Sequence, residues 1–256
     1  MKLIRTSLCT LFLLHALTAF AGDDGALSLS PAVVMLRGDH GQSTTQTLTL
    51  TNATSRVFSF DLVAHDVVVK DGKRVFVEAG SIAGSIAATA VFSQKHVTVA
   101  PGESVNATIT VTLPASTEQR AVVAMFRGTN QVMSGNMPMT ASLGALLTFT
   151  TSDAIQMTAE PLSVRPQSAT ANLGVTHACR NAGREPFVAN GVLAVVNAQG
   201  ALVGKSTLEP RRLLPGEAAD LGAEYGGELD PGKYRVFVTY DYEGNTLTQS
   251  AEVEIR

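Results

Sequence analysis

The chain has 256 residues, with 19 Lys and Arg against 22 Asp and Glu and a formal net charge of −3. That sign argues against a nucleic-acid binder or a polybasic membrane binder, and the length allows one large or two ordinary domains. Two cysteines and no tryptophan exclude a disulfide-stapled scaffold and a ring-paved carbohydrate surface.

Residues 1–21 read as a targeting segment. Lys2 and Arg5 form the positive start, Leu8 to Phe20 is too short an apolar stretch to span a bilayer comfortably, and Ala19-Phe20-Ala21 is a small-x-small cleavage site. Removing it leaves 17 Lys and Arg against 22 acids, a net charge of −5, and Cys179 as the one remaining cysteine. An intrachain disulfide is then excluded, and the expected chain is an exported protein with no membrane span after the leader, held by packing alone.

From Gly22 onward the chain reads in strand periodicity with turn signals at short intervals. "ALSLSPAVVML" alternates and carries Pro31, which belongs on an edge or at a bulge. "TTQTLTLTNATS" alternates Thr with Leu and ends in Asn52, a turn residue. Val57 to Val69 is a long strand that stops at the hairpin turn Lys70-Asp71-Gly72-Lys73 before "RVFVEAG". The small residues from Gly80 to Ala90 predict a loop, the one place where a short helix fits. A strand, an Ala-Pro-Gly-Glu turn and a second alternating strand fill "VFSQKHVTVAPGESVNATITVTLP", and "RAVVAMFRGT" reads as a buried strand.

The next stretch has the most regular alternation in the chain. Met137, Met139, Ala141, Leu143, Ala145, Leu147 and Phe149 are apolar at every second position, between mostly small or polar residues. Such a row either paves the protein's own core or is held ready for a strand of another protein. Near Thr151-Ser152-Asp153 the pattern pauses, and about seven further alternating segments follow, punctuated by Asn181-Ala182-Gly183, Pro215-Gly216 and Pro231-Gly232. The expected fold class is all-β: two immunoglobulin-like β-sandwich domains in tandem, over 22–152 and 153–256, with no fixed-period repeat between them.

No constellation for chemistry is visible. His40, His65, His96 and His177 are isolated, and the two-residue spacing of His177 and Cys179 supplies too few ligands for a metal site. Asp61, Asp66, Glu78 and Asp241 are scattered with nothing to select a pair, and neither a Gly-x-Ser-x-Gly elbow nor a phosphate-binding glycine loop occurs. Arg37-Gly38-Asp39 is sufficiently explained as a turn. The expectation is therefore a non-enzymatic protein with no metal and no cofactor.

An exported pair of such domains resembles the PapD-like periplasmic pilus (fimbrial) chaperones. "LSLSPAVVMLRGDHGQSTTQTLTLTNATS" leads, and Phe92, Val97, Val99, Pro101, Gly102, Leu113 and Pro114 match the family's later hairpin and Leu-Pro strand end. The resemblance implies a bacterial periplasmic location and a client, a pilus or surface subunit, bound by β-strand addition along Met137 to Phe149. It also implies a basic pair gripping the client's carboxylate, and here the chain departs. The corresponding positions fall near Pro31 and near Leu147 or Thr148, no lysine lies between Lys95 and Lys205, and Arg37 is the nearest alternative anchor. The alternative is a structural or adhesion scaffold module of the cell envelope. A displayed row risks aggregation, so display implies either a partner or a self-capping dimer.

Overall fold

The computed structural model describes residues 25–115, 117–134 and 137–256; the expected leader lies outside the described residues. No helix among the described residues is long and apolar enough to cross a membrane.

The first sandwich opens with β1 (Leu27–Ser30) and β2 (Val33–Arg37), followed by β3 (Ser43–Asn52), β4 (Phe58–Lys70) and β5 (Lys73–Glu78). The β4–β5 turn places Asp71 and Gly72 at φ 52° and 75°, as the Asp-Gly pair predicts for a two-residue hairpin. A single 3₁₀ turn, Ala87–Thr89, sits in the small-residue loop. It is anchored from below by Asp66, fully buried, whose carboxylate accepts from the Ile86 and Ala87 amides and the Ser85 hydroxyl. Then come β6 (Val91–Phe92), β7 (His96–Val99), β8 (Ser104–Thr112), β9 (Ala121–Gly128), β10 (Val132–Ser134), β11 (Met137–Met139) and β12 (Ser142–Thr150).

One sheet runs β1-β3-β8-β6; the facing sheet runs β2-β12-β9-β4-β5, with β7 also on β4. The first strand of the sequence thus serves both sheets. Up to Ser30 it pairs antiparallel with β3, and after Pro31 it pairs parallel with β12. Pro31 stands at the switch, where no ladder needs its missing N–H. Between the sheets lie Leu48, Leu50, Phe60, Ile109, Phe126 and Leu147, all fully buried.

The second sandwich contains β13 (Met157–Ala159), β14 (Ser163–Arg165), β15 (Leu173–Asn181), β16 (Phe187–Asn197), β17 (Leu202–Leu213), β18 (Ala218–Tyr225), β19 (Gly232–Tyr242) and β20 (Asn245–Ile255). One sheet centres on β15, flanked by β13, β14 and β18; the other runs β17-β16-β19-β20. The fold is all-β, two immunoglobulin-like sandwiches in tandem. β17 runs unbroken through Pro210, where periodicity alone suggests two segments. It can do so because it is an edge strand, where a proline costs no central ladder bond.

Both sandwiches turn on the same device, a buried asparagine. Asn52 Nδ2 donates to Arg56 O (2.6 Å) and Val99 O (3.2 Å), and its Oδ1 accepts from Thr54 N (3.0 Å). Asn181 Nδ2 donates to Glu185 O (2.8 Å) and Leu213 O (3.0 Å), and its Oδ1 accepts from Gly183 N (2.9 Å). Each asparagine also meets a Pro-Gly-Glu turn: Gly102 N donates to Asn52 O and Gly216 N to Asn181 O, with both glycines left-handed at φ 75° and 77°. "NATSRVF" and "NAGREPF" are therefore equivalent corners. The two halves do share a motif, and the reading of no fixed-period repeat still holds, because β5 and the Gly80–Ala90 loop lengthen the first half between corner and turn.

Candidate functional site

The second corner lies against the first sandwich. Glu185, 1% exposed, receives Arg120 Nε at 2.9 Å, the Thr151 amide at 3.1 Å, and the Thr151 and Ser152 hydroxyls at 2.8 Å each. Burial pushes its carboxyl upward, but the bonds from Arg120, Thr151 and Ser152 outweigh that and hold it below the usual carboxylate range. Glu217 of the Pro-Gly-Glu turn has Arg74 Nε at 2.9 and 3.0 Å from its two oxygens, and Arg74 also donates to Arg212 O. Ala218 N donates to Gly72 O. Leu214 inserts between these pairs against Val67, Ala121, Val123 and Leu146. Two buried acids and one leucine thus fasten the outer face of the β2-β12-β9-β4-β5 sheet to the second domain. Sequence reading missed them, because single acids in turns look like solvated punctuation.

This fastening supports β12, the strand that carries most of the alternating row. β12 pairs with β9 over Ser142–Thr148, and on its other side with β2 over Leu146–Thr150. Among the described residues, Ser142 to Ala145 therefore have a neighbouring strand on one side only. Leu146 N donates to Ala32 O on the β2 side. Successive N–H groups of a strand point to opposite sides, so the backbone of Gly144 is directed the same way, past the end of β2, where no strand among the described residues meets it. The result is a short open edge beside a fully paired one.

The seven residues of the row do not form one surface. Ala145 and Leu147 are fully buried and Phe149 is 4% exposed, all three inside the first core. As folded they pave the protein's own interior, one of the two readings that the alternation leaves open. Leu143 and Ala141 are half-buried at the margin of that core. Met139 and Met137 are 52% and 67% exposed and lie in β11, which among the described residues pairs only with β10. The expected single strand from Met137 to Phe149 is corrected: Thr140 and Ala141 separate two strands. β9 ends at Gly128, where a Cβ would lie 2.1 Å from Ala141 O. That approach takes the chain out of the sheet and into the β10–β11 hairpin. Alternation persists through the break because it is a property of sequence, whereas sharing a face requires a continuous ladder.

Arg37, the candidate anchor, is exposed and paired with Asp153 at 2.7 Å; that hydrogen bond raises its already high pKa. Arg212 is a cation that sequence reading did not single out. It reaches from β17 to Val34 O of β2 at 3.1 Å, its Nε is buried without a partner among the described residues, and burial together with nearby Arg74 lowers its pKa.

The second core absorbs the remaining candidates. His177, fully buried, donates from Nε2 to Glu160 O at 2.7 Å and meets the Tyr240 hydroxyl at Nδ1 at 3.2 Å, so both ring nitrogens are engaged within the fold. Cys179 is 2% exposed, and burial pushes its thiol up to about 11, which leaves it unreactive. No group of three metal-binding side chains occurs among the described residues.

No family model matches the chain, and no curated protein matches it. Solved structures do. The class 5 fimbriae chaperone CfaA is 12% identical, with 90% of this chain and 99% of that one covered at a TM-score of 0.44. The CsuC–CsuE chaperone–tip adhesion subunit complex of archaic chaperone-usher Csu pili from Acinetobacter baumannii is 10% identical, with 90% and 98% covered at 0.46. The E. coli chaperone DraB is 17% identical, with 89% and 98% covered at 0.40. At these identities the likeness is one of fold.

Proposed function

We propose that the chain is an exported, non-enzymatic assembly chaperone that holds another exported protein by β-strand addition at the open edge of β12. One observation carries the reading: the unpaired backbone at Ser142–Ala145 runs on, through Leu143 and Ala141, into the exposed Met139 and Met137. An edge of this kind invites a partner strand. In this reading residues 1–21 are the leader, 22–152 and 153–256 are the two units, and the site of action is the bacterial periplasm. The client is a pilus or surface subunit, a class that the Csu complex holds with its own chaperone. Main-chain bonds would come from Gly144 and Ser142, and apolar contact from four side chains of the row rather than seven.

The scaffold alternative rests on Ala145, Leu147 and Phe149, which the protein uses for its own core. Backbone hydrogen exchange separates the two readings, with an immunoglobulin-like subunit lacking its final strand as the probe client. In the free protein, Gly144 is expected to exchange fast while Leu146 and Thr148 exchange slowly. Addition of the probe should slow Gly144 and leave the other two unchanged. A Gly144 amide already protected in the free protein, or unaltered by the probe, would decide for the scaffold.

A further inference from the structure

Three of the seven methionines in the chain stand on one two-stranded hairpin, with Met133, Met137 and Met139 at 53%, 67% and 52% exposure. Among the other described methionines, Met35 and Met125 are half-buried and Met157 is 4% exposed. Register separates the hairpin group further. Met139 lies opposite Val132 and Met137 opposite Ser134, which places these two thioethers on one face, while Met133 lies opposite Pro138 on the other. That shared face carries half of the residues left to meet a client. Thioether sulfur is the softest nucleophile available in a chain whose only cysteine outside the leader is buried.

We propose that Met137 and Met139 form an oxidation site through which peroxide-class oxidants release or refuse the client; this inference rests on the strand-addition reading above. In each step a sulfur lone pair attacks one peroxide oxygen, the O–O bond breaks, and an S–O bond forms. The sulfur is oxidised by two electrons, and the departing hydroxide takes the proton of the new S–OH group, which leaves the sulfoxide and water. The product, a sulfoxide, is polar and chiral, unsuited to an apolar groove, and reducible by sulfoxide reductases. The backbone edge at Ser142–Ala145 is untouched, so the change falls on side-chain complementarity and leaves the fold intact.

The test treats the full mature protein with graded hydrogen peroxide, maps each methionine by peptide mass, and measures affinity for the strand-deleted immunoglobulin-like probe. Met137 and Met139 should gain one oxygen well before Met35, Met125 and Met157, with the thermal midpoint unchanged. Probe affinity should fall about tenfold or more, because a sulfoxide oxygen in an apolar groove lacks the donor it has in water. For the double variant Met137→Leu/Met139→Leu, whatever its untreated affinity, peroxide treatment should leave that affinity unchanged, since leucine has no sulfur to oxidise. Equal oxidation rates at Met137 and Met157 overturn the site, and selective oxidation with unchanged affinity overturns the switch while leaving strand addition standing. An untreated protein that does not bind the probe removes the strand-addition reading and the switch with it.

Discussion

The two asparagine corners share their hydrogen-bond hardware and differ in use. At Asn52 the neighbouring Glu103 is exposed and Arg56 half-exposed, so the corner closes its own sandwich and faces water. At Asn181 the equivalent positions hold Glu185 and Glu217, 1% and 3% exposed, each paired with an arginine of the other domain. A device that ends a strand pair in one domain has become the joint in the other. Glu103 and Glu217 are the same residue type at equivalent positions, so the joint differs in carrying an acid, Glu185, where the first corner has Arg56, and in having Arg120 and Arg74 placed opposite. Asn52 and Asn181 are set by local geometry, whereas Glu185 and Glu217 are set by what lies across the seam.

The largest effect that breaks this comparison should come from Glu185→Ala, which leaves Arg120 buried without its partner. Truncating one member of a buried pair costs about 3–5 kcal/mol, read as a lower denaturant midpoint; a change below about 1 kcal/mol would mean that water replaces the carboxylate. Next are the asparagines. Asn181→Ala and Asn52→Ala each strand buried backbone groups, at about 1–3 kcal/mol per unsatisfied group. Asn181→Ala alone should also weaken the seam, seen as separate unfolding of the two domains. Equal loss of coupling from both variants would contradict the difference between the corners.

A smaller effect is one of pH. The native pKa of Glu185 lies below its unfolded value, so its stabilisation is complete above the ordinary carboxylate range near about 4.3. It disappears as pH falls through the lowered native value. Glu185→Gln should flatten that part of the acid unfolding curve, and an unaltered curve would reassign the acid sensitivity to other carboxylates. Least of all, Arg37→Ala should leave the thermal midpoint unchanged, because its pair with Asp153 is solvent-exposed. If Arg37 nonetheless grips a client, probe affinity falls while stability holds.

Much of the fold was legible in the sequence. The β4–β5 turn, the long β4 and the buried β9 follow from turn chemistry and period-two alternation, both of which act over a few residues. Corner and turn are also written there, as Asn-Ala followed six positions later by Phe58 or Phe187, and as two Pro-Gly-Glu turns. Their unequal spacing concealed the equivalence. The candidate site was half legible: the alternating segment stood out, but seven residues in a row suggested one surface.

By itself the sequence determined that the chain would be strands, roughly where they begin and end, and that alternate residues from Met137 to Phe149 would be apolar. Only the tertiary structure decided which of those residues are available. β2, more than a hundred residues earlier in the chain, covers Leu146–Thr150 and stops short of Gly144. The β10–β11 hairpin lifts Met137 and Met139 away from the core that Ala145, Leu147 and Phe149 complete. Alternation states that a strand has two faces; what lies against each face and each edge depends on distant segments, whose arrival local pattern does not encode.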